Sequence, residues 1–242
     1  MKVNDKVTLF TFRFTAAMNF ISKKKNELHY EHNLKAWREY LKSHSTDRFI
    51  EHQNDMTDVL YGVALPILTR ALYRQGYRKG IPAAANACEV IAVYNVMTAL
   101  DKEYAPVEFP ALLQHFERKG ACLAGNIGTS PKSLLRYLQK NGYDAKLVAA
   151  GKMKELAVDT FSGQYEAFIY TAFNDKNDIT KEVHTIAITR GEEGKYYMHN
   201  AGTGYKGVGY VSLYEAMSSY RNGKAGFVSL IGVSGEEKAK RL

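Results

Sequence analysis

The hydrophobic pattern changes period about halfway along the chain. In the first half it runs at helical spacing. Val90, Val93, Tyr94 and Met97 fall at i, i+3, i+4 and i+7, and Ile91, Ala92 and Val96 fill much of the remaining surface. This predicts a helix over residues 86–100 that is apolar nearly all round and therefore buried. Trp37, Tyr40 and Leu41 mark one face of a helix from Leu34 to Ser43, and Val59, Leu60, Val63, Leu65 and Leu68 predict another from Thr57 to Tyr73, kinked or broken at Pro66. A helix from Pro110 to Lys119 stops at Gly120, and one opened by Ser130-Pro131 stops at Asn141-Gly142. Beyond residue 144 the pattern turns to strands. Residues 145–150, 165–173, 183–189, 195–200 and 226–233 are rich in β-branched and aromatic side chains between turn signals. Ser212 with Glu215 forms a capping box that opens a helix to about Ser219. Helices first and an antiparallel sheet after them predict an α+β fold.

The 242 residues suffice for one large domain or a domain with an extension. Residues 1–80 read as a mainly helical N-terminal extension, residues 81–234 as the principal domain and residues 235–242 as a charged tail. No run of 18 apolar residues occurs, so no membrane span is expected. The apolar stretch Val7 to Met18 carries Arg13 in its middle and is followed by Lys23 to Lys25, unlike an export signal. With only Cys88 and Cys122, a disulfide scaffold is not expected, and the expected setting is reducing and cytoplasmic. No Cys/His spacing matches a metal signature, and no cofactor is expected. His29, His32, His44 and His52 share no ligand spacing and read as surface or cap histidines. A net charge of +8 predicts a solvated basic surface, open to an acidic partner or substrate. No nucleic-acid motif accompanies it, so no specific nucleic-acid partner is expected. Gly125 to Gly128 is a tight loop without the Lys-Ser/Thr ending of a phosphate loop.

Candidate chemistry centres on Cys88. With Asn86 as N-cap and Glu89 at N3, Cys88 stands in the first turn of the buried helix, where free N–H groups and the helix dipole favour a thiolate. Two readings remain open: a nucleophile, or a small apolar residue used for packing. Glu89 works against the thiolate unless its side chain turns away to cap. A nucleophilic cysteine needs an imidazole, and the imidazole a third group to orient it. His184 opens one strand and Asn200 ends the next. If the intervening loop is Glu192-Glu193-Gly194 with Gly194 left-handed, Ile186 faces Asn200, His184 and Asn200 share a face, and His199 points the other way. A two- or four-residue loop would reverse that parity. Alternatively, His184 is a strand-end residue bonded to backbone and Asn200 a turn former.

These residues in this order resemble the papain-like cysteine peptidases, most of all the bacteriocin-processing (double-glycine leader) peptidase branch and its stand-alone relatives. The resemblance spans residues 80–233. It rests on Cys88 opening the apolar helix, the Gly128-to-Gly142 turn and helix, His184 followed by apolar residues, and Asn200 at the end of the next strand. It implies a papain-like fold and a bacterial thiol protease or related hydrolase with a Cys88-His184-Asn200 triad acting on a peptide or a small acyl or amide substrate. An acyltransferase of the same fold, or an inactive peptide-binding module, are the alternatives. Two departures stand out: the family's Gln several residues before the Cys is replaced by Pro82-Ala83-Ala84-Ala85, and its Gly after the Cys by Glu89. Asn86 is then the candidate second oxyanion donor beside the Cys88 N–H.

Overall fold

A computed structural model describes residues 29–64, 80–100, 108–149, 158–178 and 181–235. In chain order its α-helices are α1 (Tyr30–Ser43), α2 (Ala83–Asn86), α3 (Cys88–Leu100), α4 (Phe109–Lys119), α5 (Pro131–Lys140), α6 (Val158–Gln164) and α7 (Leu213–Ser219). The strands are β1 (Asp144–Ala149), β2 (Ala167–Phe173), β3 (Val183–Arg190), β4 (Tyr196–His199), β5 (Gly209–Tyr210) and β6 (Gly226–Ser234). They form one antiparallel sheet in the order β1-β6-β2-β3-β4-β5. The architecture is α+β, helices packed on a six-stranded antiparallel sheet.

Strand alternation assigns the two faces. On β3, Ala187 belongs to the apolar cluster formed with α3, α4 and α5, together with Ile169, Ile231 and Val233 from the neighbouring strands. Ile186 and Ile188 join Phe161, Leu213 and Tyr220 in a second cluster on the other face. Helix α3 fits its sequence pattern: Val90, Ile91, Ala92, Val93 and Val96 are all fully buried. Trp37, Tyr40, Met56 and Tyr61 contribute to the same cluster as α3, so the described residues before position 65 share its core.

The hairpin β3–β4 has the expected register. Ala187 pairs with His199 and Ile188 with Met198. The connection is a 3-10 turn, Glu192–Gly194, with Gly194 at φ 72° and Glu193 at φ 60°. Gly191 N–H donates to Lys195 O at 2.8 Å.

Several expectations are corrected. The helix predicted from Thr57 is not formed over its described part, residues 57–64. There the chain runs through bends, with a single bridge from Leu60 to Pro82. The Asn33 side chain binds both the N–H and the carbonyl of Leu60, and Tyr61 N–H donates to Ile81 O at 2.7 Å. Tertiary pairing outweighs the local helical period here. The rest of that prediction, the apolar stretch 7–18 and the basic tail lie outside the described residues. His29 stands at the N-cap of α1, as one of the two readings had it, but its side chain caps no N–H and is not on the surface. It is 5% exposed and donates from Nδ1 to the buried Glu117 at 2.8 Å. Helix α6 and the short β5 carry too few residues to show a clear period. No described helix is long and apolar enough to cross a membrane.

Candidate functional site

Cys88 is the first residue of α3, separated from α2 by Ala87 alone, and is 7% exposed. Asn86 does not cap this helix: its Nδ2 donates to Tyr61 O and Gly125 O, both at 2.8 Å. Those bonds use both amide hydrogens, so Asn86 has none left to offer an oxyanion.

The environment of the sulfur departs from the expected thiolate. Cys88 Sγ–H donates to Glu89 Oε2 at 3.4 Å. Burial, followed by the Glu89 charge, pushes the thiol well above its ordinary range, while the N–H and hydroxyl of Thr185 donate toward the sulfur and oppose the rise. Burial pushes the Glu89 carboxyl up to about 7, against the stabilising N–H groups of Glu89 itself and Thr129. Glu89 thus folds back to its own backbone yet still faces the sulfur. The loop beside it is built for that carboxylate: a Cβ on Gly128 (φ 66°) would lie 2.5 Å from Glu89 Oε1. Cys122 is fully buried and pushed up to about 12, chiefly by burial. Both cysteines are free thiols.

His184, the second residue of β3, bonds through Nε2 to the backbone carbonyl of Asn200 at 2.8 Å. A carbonyl only accepts, so Nε2 carries the proton and neutral His184 keeps a bare lone pair on Nδ1. Burial lowers its pKa, as does the charge of Arg221, so the imidazole is neutral near pH 7. The expected orienting role of Asn200 therefore falls to its main chain. Its side chain faces Gln53 instead: Oδ1 accepts from Gln53 N–H at 3.1 Å and Nδ2 donates to Gln53 Oε1 at 3.0 Å. Asn200 has φ 58°, a left-handed conformation that Asn tolerates better than most residues.

Cys88, His184 and Asn200 line one cavity of about 570 Å³, with Gln53, Glu182 and Arg221 also in its wall. Strand alternation sets His184 with Ile186, away from the α3 face, whereas Thr185 beside the sulfur points toward it. The cavity joins the two at the strand end, next to the β2–β6 irregularity at Thr171/Ala172. Among the described residues no hydrogen bond links Cys88 to His184, and the thiol proton goes to Glu89.

Sequence reasoning missed Glu51 and Gln53. Glu51 Oε1 accepts from His199 Nδ1 at 2.6 Å, and its Oε2 accepts from Asn200 N–H at 3.1 Å. His199 points away from His184, as the register requires, and its Nε2 hydrogen-bonds with Thr189 Oγ1 at 2.8 Å. No periodicity or motif in residues 51–53 signals these contacts, which span nearly 150 positions. Among the described residues no three His, Cys, Asp or Glu side chains converge to hold a metal ion. Comparison with protein-family models finds none that matches this chain, and comparison with curated proteins finds no match either.

Proposed function

We propose that the chain is a papain-like thiol hydrolase of peptides or related amides, with Cys88 as nucleophile and His184 as its proton carrier. One observation carries the reading. A cysteine at the first turn of a buried helix and a neutral histidine with a backbone-fixed tautomer line the same cavity. In this scheme the bare Nδ1 of His184 takes the Cys88 thiol proton as Sγ attacks the substrate carbonyl carbon. A tetrahedral oxyanion forms, with the Cys88 N–H at the helix start as a donor. Collapse breaks the C–N bond, and the proton passes from His184 to the departing amine. Water, deprotonated by His184, then attacks the acyl carbon; the C–S bond breaks, the acid leaves and His184 returns the proton to Sγ.

A second reading, a peptide-binding module without turnover, is favoured by one specific feature: the resting thiol is neutral and bound to Glu89. The two are separated by labelling with a peptidyl vinyl sulfone, the adduct located by mass spectrometry, in wild type and His184→Ala. Adduct at Cys88 that disappears in His184→Ala supports the hydrolase. A folded, reduced wild type that takes no label at Cys88, together with saturable peptide binding, supports the module.

A further inference from the structure

We propose that Gln53 is a positioning residue of the candidate site, bridging α2, which immediately precedes Cys88, to the residue that orients His184. This rests on the reading of Cys88 and His184 as a working pair. Gln53 lies in the 3-10 turn Gln53–Asp55 and is buried. Its Nε2 donates to Ala83 O at 2.9 Å and Ala84 O at 3.1 Å, in α2 just before Cys88. Its Oε1 and its backbone N–H pair with the Asn200 side chain in both directions. One amide therefore ties both banks of the cavity together, with its donors and acceptor all bonded.

The polar groups of Asn200 show what the bridge achieves. Its N–H goes to Glu51, its Oδ1 and Nδ2 go to Gln53, and its carbonyl takes His184 Nε2. Segment 51–53 thus binds every polar group of Asn200 except the carbonyl that faces His184. A left-handed residue held at its amide and side chain presents that carbonyl in one direction, and the carbonyl fixes the imidazole tautomer. The anchor of Glu51 is itself buried, in the chain His199–Thr189. Gln53 does not touch the sulfur or the imidazole and acts through Asn200 and α2. The family's Gln, which binds the oxyanion, has a different task from the one inferred for Gln53, whose amide hydrogens are both committed to carbonyls.

The test is histidine ¹⁵N NMR on the full chain, with His184 assigned by loss of its signal in His184→Ala, beside vinyl-sulfone labelling of Cys88. Wild type should show protonated Nε2 and bare Nδ1 at His184. Gln53→Leu should give a mixture of tautomers and slow Cys88 labelling by about 10²-fold, the usual effect of a misplaced reacting group. Leu134→Ala, a core cavity mutation in α5, controls for lost stability and should leave the tautomer unchanged. Should Gln53→Leu fail to fold, Gln53→Glu takes its place. It keeps an acceptor for Asn200 Nδ2 but loses both donors to α2, so it should preserve the tautomer while slowing labelling. A wild-type His184 protonated on Nδ1, or a folded Gln53→Leu with the wild-type tautomer, overturns the proposal. So does a Gln53→Glu protein that labels at the wild-type rate. If wild-type Cys88 takes no label while the tautomer depends on Gln53, the catalytic reading fails and the positioning of His184 by Gln53 stands.

Discussion

Replacing Glu89 with Gln isolates the electrostatics of the candidate nucleophile. The carboxylate oxygen lies 3.4 Å from Sγ and titrates near pH 7. Two unit charges about 4 Å apart at an effective dielectric near 20 repel by about 4 kcal/mol, or about three pKa units. In wild type the free thiolate that iodoacetamide captures, with His184 in its resting neutral form, therefore forms with Glu89 protonated. That species has the same proton count as the resting thiol with ionised Glu89, so above pH 7 its population stops changing with pH. The logarithm of the iodoacetamide rate at Cys88 should climb with unit slope to about pH 7 and then level off. In Glu89→Gln the climb continues, because a neutral amide accepts the Thr129 N–H without opposing the thiolate. The variant should outpace wild type by about 2-fold at pH 7, about 10-fold at pH 8 and about 100-fold at pH 9. Mass spectrometry separates the Cys88 adduct from Cys122, whose complete burial makes it an internal marker of folding. Parallel unit slopes for both proteins from pH 6 to 9 would show that Glu89 and Cys88 titrate independently, and the argument would be wrong.

The same residue makes stability pH-dependent. The folded Glu89 pKa is raised from 4.5 to about 7, so its stabilising share is intact below pH 4.5 and disappears as the pH rises through 7. Chemical denaturation at pH 4.5 and pH 8 should show Glu89→Gln gaining about 3 kcal/mol on wild type between them, and an unchanged gap would contradict the raised pKa. Gly62→Ala meets a backbone obstacle, since the new Cβ would lie 2.1 Å from Ala124 O at a residue with φ 75°. A loss of more than about 3 kcal/mol is expected, and a Tm near that of wild type would refute the close approach. Glu117→Ala leaves the buried His29 without its carboxylate and removes the acceptor of Gly62 N–H at 2.7 Å. Denaturant titration should register about 3–5 kcal/mol, and a cost below about 1 kcal/mol would refute the pair's structural role.

How much of this was legible in the sequence depends on the range of the interaction. The register of β3 against β4 is the one expected for a three-residue loop with Gly194 left-handed; the sequence left two- and four-residue loops of the opposite parity open, and the observed turn places His184 and His199 on opposite faces. The helix α3 was legible because nearly every face is apolar. Its start was not: Asn86 satisfies the local rule for an N-cap but is drawn to Tyr61 O and Gly125 O, partners 25 and 39 positions away. The same competition moved the orienting group of His184 from the side chain of Asn200 to its carbonyl. Once Gln53 offers its backbone N–H as donor and its side-chain Oε1 as acceptor, the Asn200 amide is paired in both directions, which an imidazole cannot match. The Asn200 carbonyl is then the acceptor left for His184 Nε2. Local period and turn chemistry thus placed the strands that carry the site. The long-range polar pairs, which have no period, decided which atom of each residue faces the cavity, and a buried Glu beside a Cys decided the charge state in which the site rests.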